Sequence, residues 1–235
     1  SGCHICGGEF SEYDDRTGEV RTEFPEQYFG YVFPNEGVIE YEDWQFDFGY
    51  HRFLYNREFI LEHQLYFPKL IRFQDPPFFV RAMITAERFY AVKKVVYRYR
   101  YGHRELKWTK EKRIDLLKGI YMDMEMAVQN HLERLVDLTW FRMMEEFGKI
   151  IFEGIIEKEK NTREWIEKIY SILDKNRRER NGYPFYDRLI DEYRKKVETI
   201  NVLEAGADAV KKTITFRVGE ILLYIPRSIK LVFFR

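Results

Sequence analysis

The chain has 235 residues, 45% of them hydrophobic and 33% charged, with 39 basic and 39 acidic side chains and a formal net charge of zero. A globular core is within reach of that composition, and the absent net charge excludes a global field that would draw nucleic acid. No apolar run reaches the ~18 residues that predict a membrane-spanning helix. Two cysteines, Cys3 and Cys6, are too few for a disulfide framework, so a reducing, cytoplasmic setting is expected.

In chain order, the first segment, "SGCHICGGEF", reads as a buried strand ending at Gly7-Gly8. A chain that opens inside a core element is expected to be a fragment. "DDRTGEV" (14–20) and "FPNEGVIEY" (33–41) read as turns leading into strands, with Gly18 and Gly37 as the permissive residues. Residues 41–68 are dense in aromatics and contain a short helix over 57–64, closed by Pro68. In "LIRFQDPPFFVRAM", Pro76 and Pro77 suit the first turn of a helix, which places Asp75 at the N-cap. Phe78, Phe79, Ala82, Met83 and Ala86 carry that helix to Ala86 or Phe89. Residues 89–101 alternate Val95, Tyr97, Tyr99 and Tyr101 with Val96, Arg98 and Arg100, the period of a strand.

Helical spacing then takes over. Ile114, Leu117, Tyr121, Met124, Val128, Leu132, Leu135 and Leu138 predict one long helix over 110–153, capped by Thr109. A second helix covers 162–179, "RNGYP" (180–184) is a turn, and a third helix covers 185–203. The tail, 211–235, mixes apolar residues with Lys211, Lys212, Arg217, Arg227, Lys230 and Arg235, and Glu220 is its one acid. Such a segment, 213–235 above all, reads either as an interfacial membrane anchor or as an element docked on the protein's own core.

Residues 48–100, "FGYHRFLYNREFILEHQLYFPKLIRFQDPPFFVRAMITAERFYAVKKVVYRYR", resemble the second half of the catalytic domain of family 2 glycosyltransferases of the GT-A fold. Four features in order carry the likeness: the polar-aromatic segment "FGYHRFLYNREFI", the "YFP" turn, an acidic pair before a helix, and a closing strand ending "YRYR". The acidic pair is normally Glu-Asp and is Gln74-Asp75 here. The likeness extends less sharply to "SGCHICGGEF", and the helical region and basic tail look like C-terminal extensions of bacterial polysaccharide glycosyltransferases.

The resemblance implies an α/β fold, a partial GT-A-type mixed sheet with flanking helices followed by an α-helical region. It divides the chain into an acceptor-side half over 1–108, a helical extension over 109–205 and a basic amphipathic tail over 206–235. Asp75 becomes the general base of an inverting transfer from a nucleotide-sugar donor to a glycan or lipid-linked acceptor, in cell-surface polysaccharide synthesis. A purely structural cap is its other reading. Gln74, Trp44, Asp47, His51 and Arg52 would border the acceptor, Trp44 as a sugar platform or as core. Arg98 and Arg100 would neutralise diphosphate or lie on the surface. His103 would help hold a divalent metal, Mn²⁺ or Mg²⁺, or sit in an exposed loop. The main metal ligands are expected upstream of Ser1, since no Asp-x-Asp motif follows an apolar strand here. Cys3-His4-Ile5-Cys6 lacks a second ligand pair at zinc spacing. The implied enzyme works at the inner face of the plasma membrane, in peripheral contact through 213–235. The alternative from another class is a non-catalytic aromatic-rich and helical binding module. An enzyme fragment should expose an unpaired sheet edge, whereas a binding module should not.

Overall fold

The computed structural model describes residues 2–24, 32–103 and 107–179, and beyond them residues 195, 198–199, 201–203 and 205–212. The chain divides into two compact units, residues 1–179 and residues 180–235. In the second unit the described residues from 195 to 211 are helical. The expected turn at 180–184, most of the expected third helix and the tail 213–235 lie outside the described residues.

The first unit is mixed α/β. Its centre is a parallel pair, β1 (Ile5–Asp14) and β5 (Arg88–Tyr101), in register from Cys6↔Tyr90 to Asp14↔Tyr101 with an irregularity around Gly8 to Phe10. β2 (Val20–Arg21) and β4 (Phe53–Tyr55) pair antiparallel with the two ends of β1, and β3 (Gly37–Glu40) pairs antiparallel with residues 88–91 of β5. The strand predicted to stop at Gly7-Gly8 therefore runs on to Asp14. The glycines serve packing instead: a Cβ at Gly7 would enter the Phe53 ring and one at Gly8 would strike Val96.

Aromatic side chains fill the space over the sheet. Trp44, from the short helix α1 (Tyr41–Trp44), stands 5.1 Å from Phe89 and 5.4 Å from Phe46, and Phe53 lies 5.0 Å from Phe79. Edge-to-face and tilted contacts of this kind account for much of the aromatic content. A single 3₁₀ turn (Tyr50–Arg52) leads into β4, and α2 (Arg57–Glu62) follows with Asn56 accepting from the Phe59 N–H. α3 (Asp75–Ala86) lays Phe78, Phe79, Val80, Ala82 and Met83 against this core.

The helical region begins with α4 (Lys110–Gln129), capped as expected by Thr109, whose hydroxyl accepts from the Lys112 N–H. The single helix predicted over 110–153 is broken. His131 takes a left-handed backbone (φ 56°) and the Leu132 N–H closes back on the Ala127 carbonyl. α5 (Glu133–Phe141), a π-helical segment (Arg142–Glu146) and α6 (Gly148–Ile156) follow, and then α7 (Lys160–Glu179). The apolar period runs on through the bend, where Leu132 is buried, so periodicity alone hides the change of direction. α4 packs on α3, on α5 and on α7. Sheet and helices thus belong to one unit, with no division near residue 108. No helix among the described residues is long and apolar enough to cross a membrane.

A candidate ligand cleft at the head of helix α3

The turn before α3 is fixed from below. The Ile71 N–H donates to the Asp115 carboxylate at 2.9 Å. Phe73 takes a left-handed backbone (φ 61°) and buries its ring, centroid 5.6 Å from that of Phe147. Gly119 of α4 makes room for it, since a Cβ there would lie 2.6 Å from the Phe73 carbonyl oxygen. A bulky residue at positive φ costs of order 1–3 kcal/mol and persists where its surroundings hold it.

Asp75 is the first residue of α3 and Gln74 is the N-cap, which corrects the expected placement of Asp75 by one position. No side chain caps this helix end. The reason is chemical. A cap side chain accepts from the N–H of the second or third helical residue, and those residues here are Pro76 and Pro77, which carry none. The Asp75 carboxylate, half-buried, makes no hydrogen bond or ion pair with any described residue.

Around it stand rings from two other elements. Parallel register puts Phe10 beside Tyr97 and Glu12 beside Tyr99, all on one sheet face. His51, from the 3₁₀ turn, lies 4.2 Å from the Tyr97 ring and stacks on Tyr99 at 5.3 Å. Its neighbour Tyr50 meets Phe67 and Phe78 edge-on, at 5.5 and 6.5 Å. Burial raises the Tyr50 and Tyr99 phenols above their ordinary range, and the nearby Asp75 charge raises both further. At Tyr99 the Arg72 guanidinium pulls the other way. Burial, helped by the Arg52 charge, pushes the His51 imidazole down to about 4, and its Nε2 is buried without a hydrogen-bond partner. The head of α3 therefore carries an unengaged carboxylate whose charge acts on two protonated phenols, next to which lies a neutral imidazole.

The other residues singled out in the sequence fall elsewhere. Trp44, Asp47 and Arg52 are 3%, 1% and 3% exposed and belong to the interior. The Arg52 guanidinium lies over the rings of Phe33 and Phe10. Asp47 pairs with Arg142 at 2.6 Å, and Arg142 also binds Glu146. Asp123 of α4 is fully buried beside them with neither carboxylate oxygen hydrogen-bonded. Burial first, then the Asp47 charge, raises its pKa well above the ordinary aspartate value. Gln74 remains at the cleft, half-buried. Arg98 and Arg100 alternate onto the sheet face opposite Tyr97 and Tyr99, where Arg98 reaches the Ser11 hydroxyl and Arg100 pairs with Asp15 at 2.6 Å. The strand period showed that they share a face but not which one. His103 is exposed, after Gly102 at φ 80°. Among the described residues no group of three or more His, Cys, Asp or Glu is placed to hold a metal ion.

Sequence reading missed Tyr50, Tyr99 and Arg72. The tyrosine alternation in β5 was a usable signal for Tyr99, and nothing in the local pattern marked Arg72. Comparison with models of protein families finds no match, and comparison with curated proteins finds none either.

Proposed function

We propose that this chain is the acceptor-side half of an inverting glycosyltransferase, with Asp75 as the general base. The observation that carries the reading is the unengaged Asp75 carboxylate at the head of α3, with Tyr50 and Tyr99 beside it. The resemblance over residues 48–100 supports it. An acceptor hydroxyl donates a hydrogen bond to the carboxylate. Its oxygen attacks the anomeric carbon of a nucleotide-sugar, the bond from that carbon to the diphosphate oxygen breaks with inversion, and the hydroxyl proton passes to Asp75. Rings give the C–H face of a sugar an apolar platform, and phenols held protonated donate to its hydroxyls. The residues described here do not form a site for the divalent ion that the resemblance implies, and the step above assigns it no role.

The sheet edge favours this reading over a self-contained binding module. β3 covers only residues 88–91 of β5, and the Glu36 carboxylate takes the Lys93 N–H. Beyond that point no strand among the described residues pairs with this edge of β5. The donor is a nucleotide-sugar and the acceptor a glycan or lipid-linked glycan at the cytoplasmic membrane face, within polysaccharide synthesis.

The test is a transfer assay on the intact gene product with UDP-, GDP- and dTDP-sugars. Asp75→Asn is expected to retain glycan binding and lose about 10²–10⁴-fold in transfer rate, the usual worth of a positioned base. A substituted protein that transfers at near wild-type rate removes Asp75 from the mechanism. Glycan binding with no transfer from any donor supports the binding module instead.

A further inference from the structure

Arg72 stands three residues before Asp75, in the turn pinned by Asp115 and Gly119. Its guanidinium lies over the Trp108 ring, Cζ 5.3 Å from the centroid. Its Nε is buried without a hydrogen-bond partner, and the group forms no ion pair with any described residue, Asp75 included. The contrast inside the same unit is sharp. Arg113 is answered by Glu157 and Glu159, and Arg142 by Asp47 and Glu146. A guanidinium carries five donors in a fixed fork and loses water's hydrogen bonds when it is partly buried. Attraction to the face of an indole satisfies none of those donors.

Arg72 lies in the turn that leads into Asp75, and the two charges act on the Tyr99 phenol in opposite directions. We propose that Arg72 is an anion subsite of the Asp75 cleft, taking a phosphate or carboxylate group of the ligand in its guanidinium fork. A ligand seated there carries its negative group on Arg72 and presents a hydroxyl to Asp75. The Trp108 ring under the guanidinium limits its swing before binding, which favours bidentate recognition. This deepens the transferase reading and rests on it only for the role of the hydroxyl at Asp75.

The experiment titrates the full chain with sodium pyrophosphate, with glucuronate and with glucose at matched ionic strength, following tryptophan fluorescence and heat. Pyrophosphate, glucuronate or both are expected to bind saturably. Arg72→Gln is expected to weaken that binding about tenfold or more, a change of one decade in Kd, at an unchanged unfolding temperature. Arg72→Lys keeps the charge without the fork and is expected to fall between the two. Selectivity for pyrophosphate identifies a phosphate-bearing ligand, and selectivity for glucuronate an acidic sugar. Absence of anion binding to the native chain, or equal binding to Arg72→Gln, overturns the proposal. Asp75→Asn is expected to bind the anion as well as the native chain or better, so failure of the base and failure of the anion subsite are read separately.

Discussion

His51 is the residue through which the cleft senses acid. The folded protein keeps its imidazole neutral down to about pH 4, against an ordinary value of 6.5. Between those values the unfolded chain binds a proton that the folded chain does not. The contribution to stability is therefore flat above pH 6.5 and lost progressively as pH falls towards 4. His51→Gln removes this one titration while leaving the carboxylates in place. The expected result, from thermal unfolding followed between about pH 7 and pH 5, is a smaller loss of midpoint in His51→Gln than in the native protein. Equal slopes would mean that the imidazole is solvated. The rings of Phe10, Phe48, Tyr97 and Tyr99 and the Arg52 guanidinium all face it, which is why burial outweighs every other influence.

At the scale of elements, the junction of α3 with α4 turns on one atom that is missing. Gly119→Ala raises intrinsic helix propensity by about 1 kcal/mol, yet it is expected to lower stability by about 1–3 kcal/mol through overpacking. The new Cβ would press on backbone, the Phe73 carbonyl oxygen, which cannot swing aside. Denaturant unfolding decides the sign, and a midpoint that rises would show that the turn before α3 yields freely. Much at this scale is legible in sequence: the paired prolines announce α3, the alternation of valine and tyrosine announces β5, and Thr109 announces α4. Helix starts and strand faces rest on local chemistry, so local patterns reveal them. What failed rests on contacts distant in sequence. Gly7 and Gly8 look like a strand end, yet they answer to Phe53 and Val96. The bend at His131 keeps the apolar period, and Asp47 meets its cation 95 residues away. The cleft was half legible for the same reason: Asp75 stood out beside its prolines, whereas Arg72 gains meaning only from the lack of a partner in the folded chain.

For the whole molecule, the packing of α4 on α3 means that the sheet does not stand by itself. Leu116, Leu117, Ile120 and Met124 of α4 are completely buried, and removing them would open the interior face of α3 to water. Residues 1–108 expressed alone are expected to lack a cooperative thermal transition, whereas residues 1–179 are expected to show one; circular dichroism melting separates the outcomes. A cooperative 1–108 would mean that the helical region is an appendage.

The stretch of β5 with which no described strand pairs on this edge also bears on how copies of the chain behave when crowded. Val95, Val96, Tyr97 and Tyr99 are each more than a third exposed along it, a surface on which a second strand would readily add. Lys93, Lys94 and Arg98 are spread along the same stretch, while Arg100 is answered by Asp15. Two copies approaching edge to edge would set these cations against one another before backbone groups came within bonding distance. The strand thus repels its own likeness while staying open to a neutral or acidic strand, a colloidal safeguard written into a segment whose apolar content alone would favour clumping.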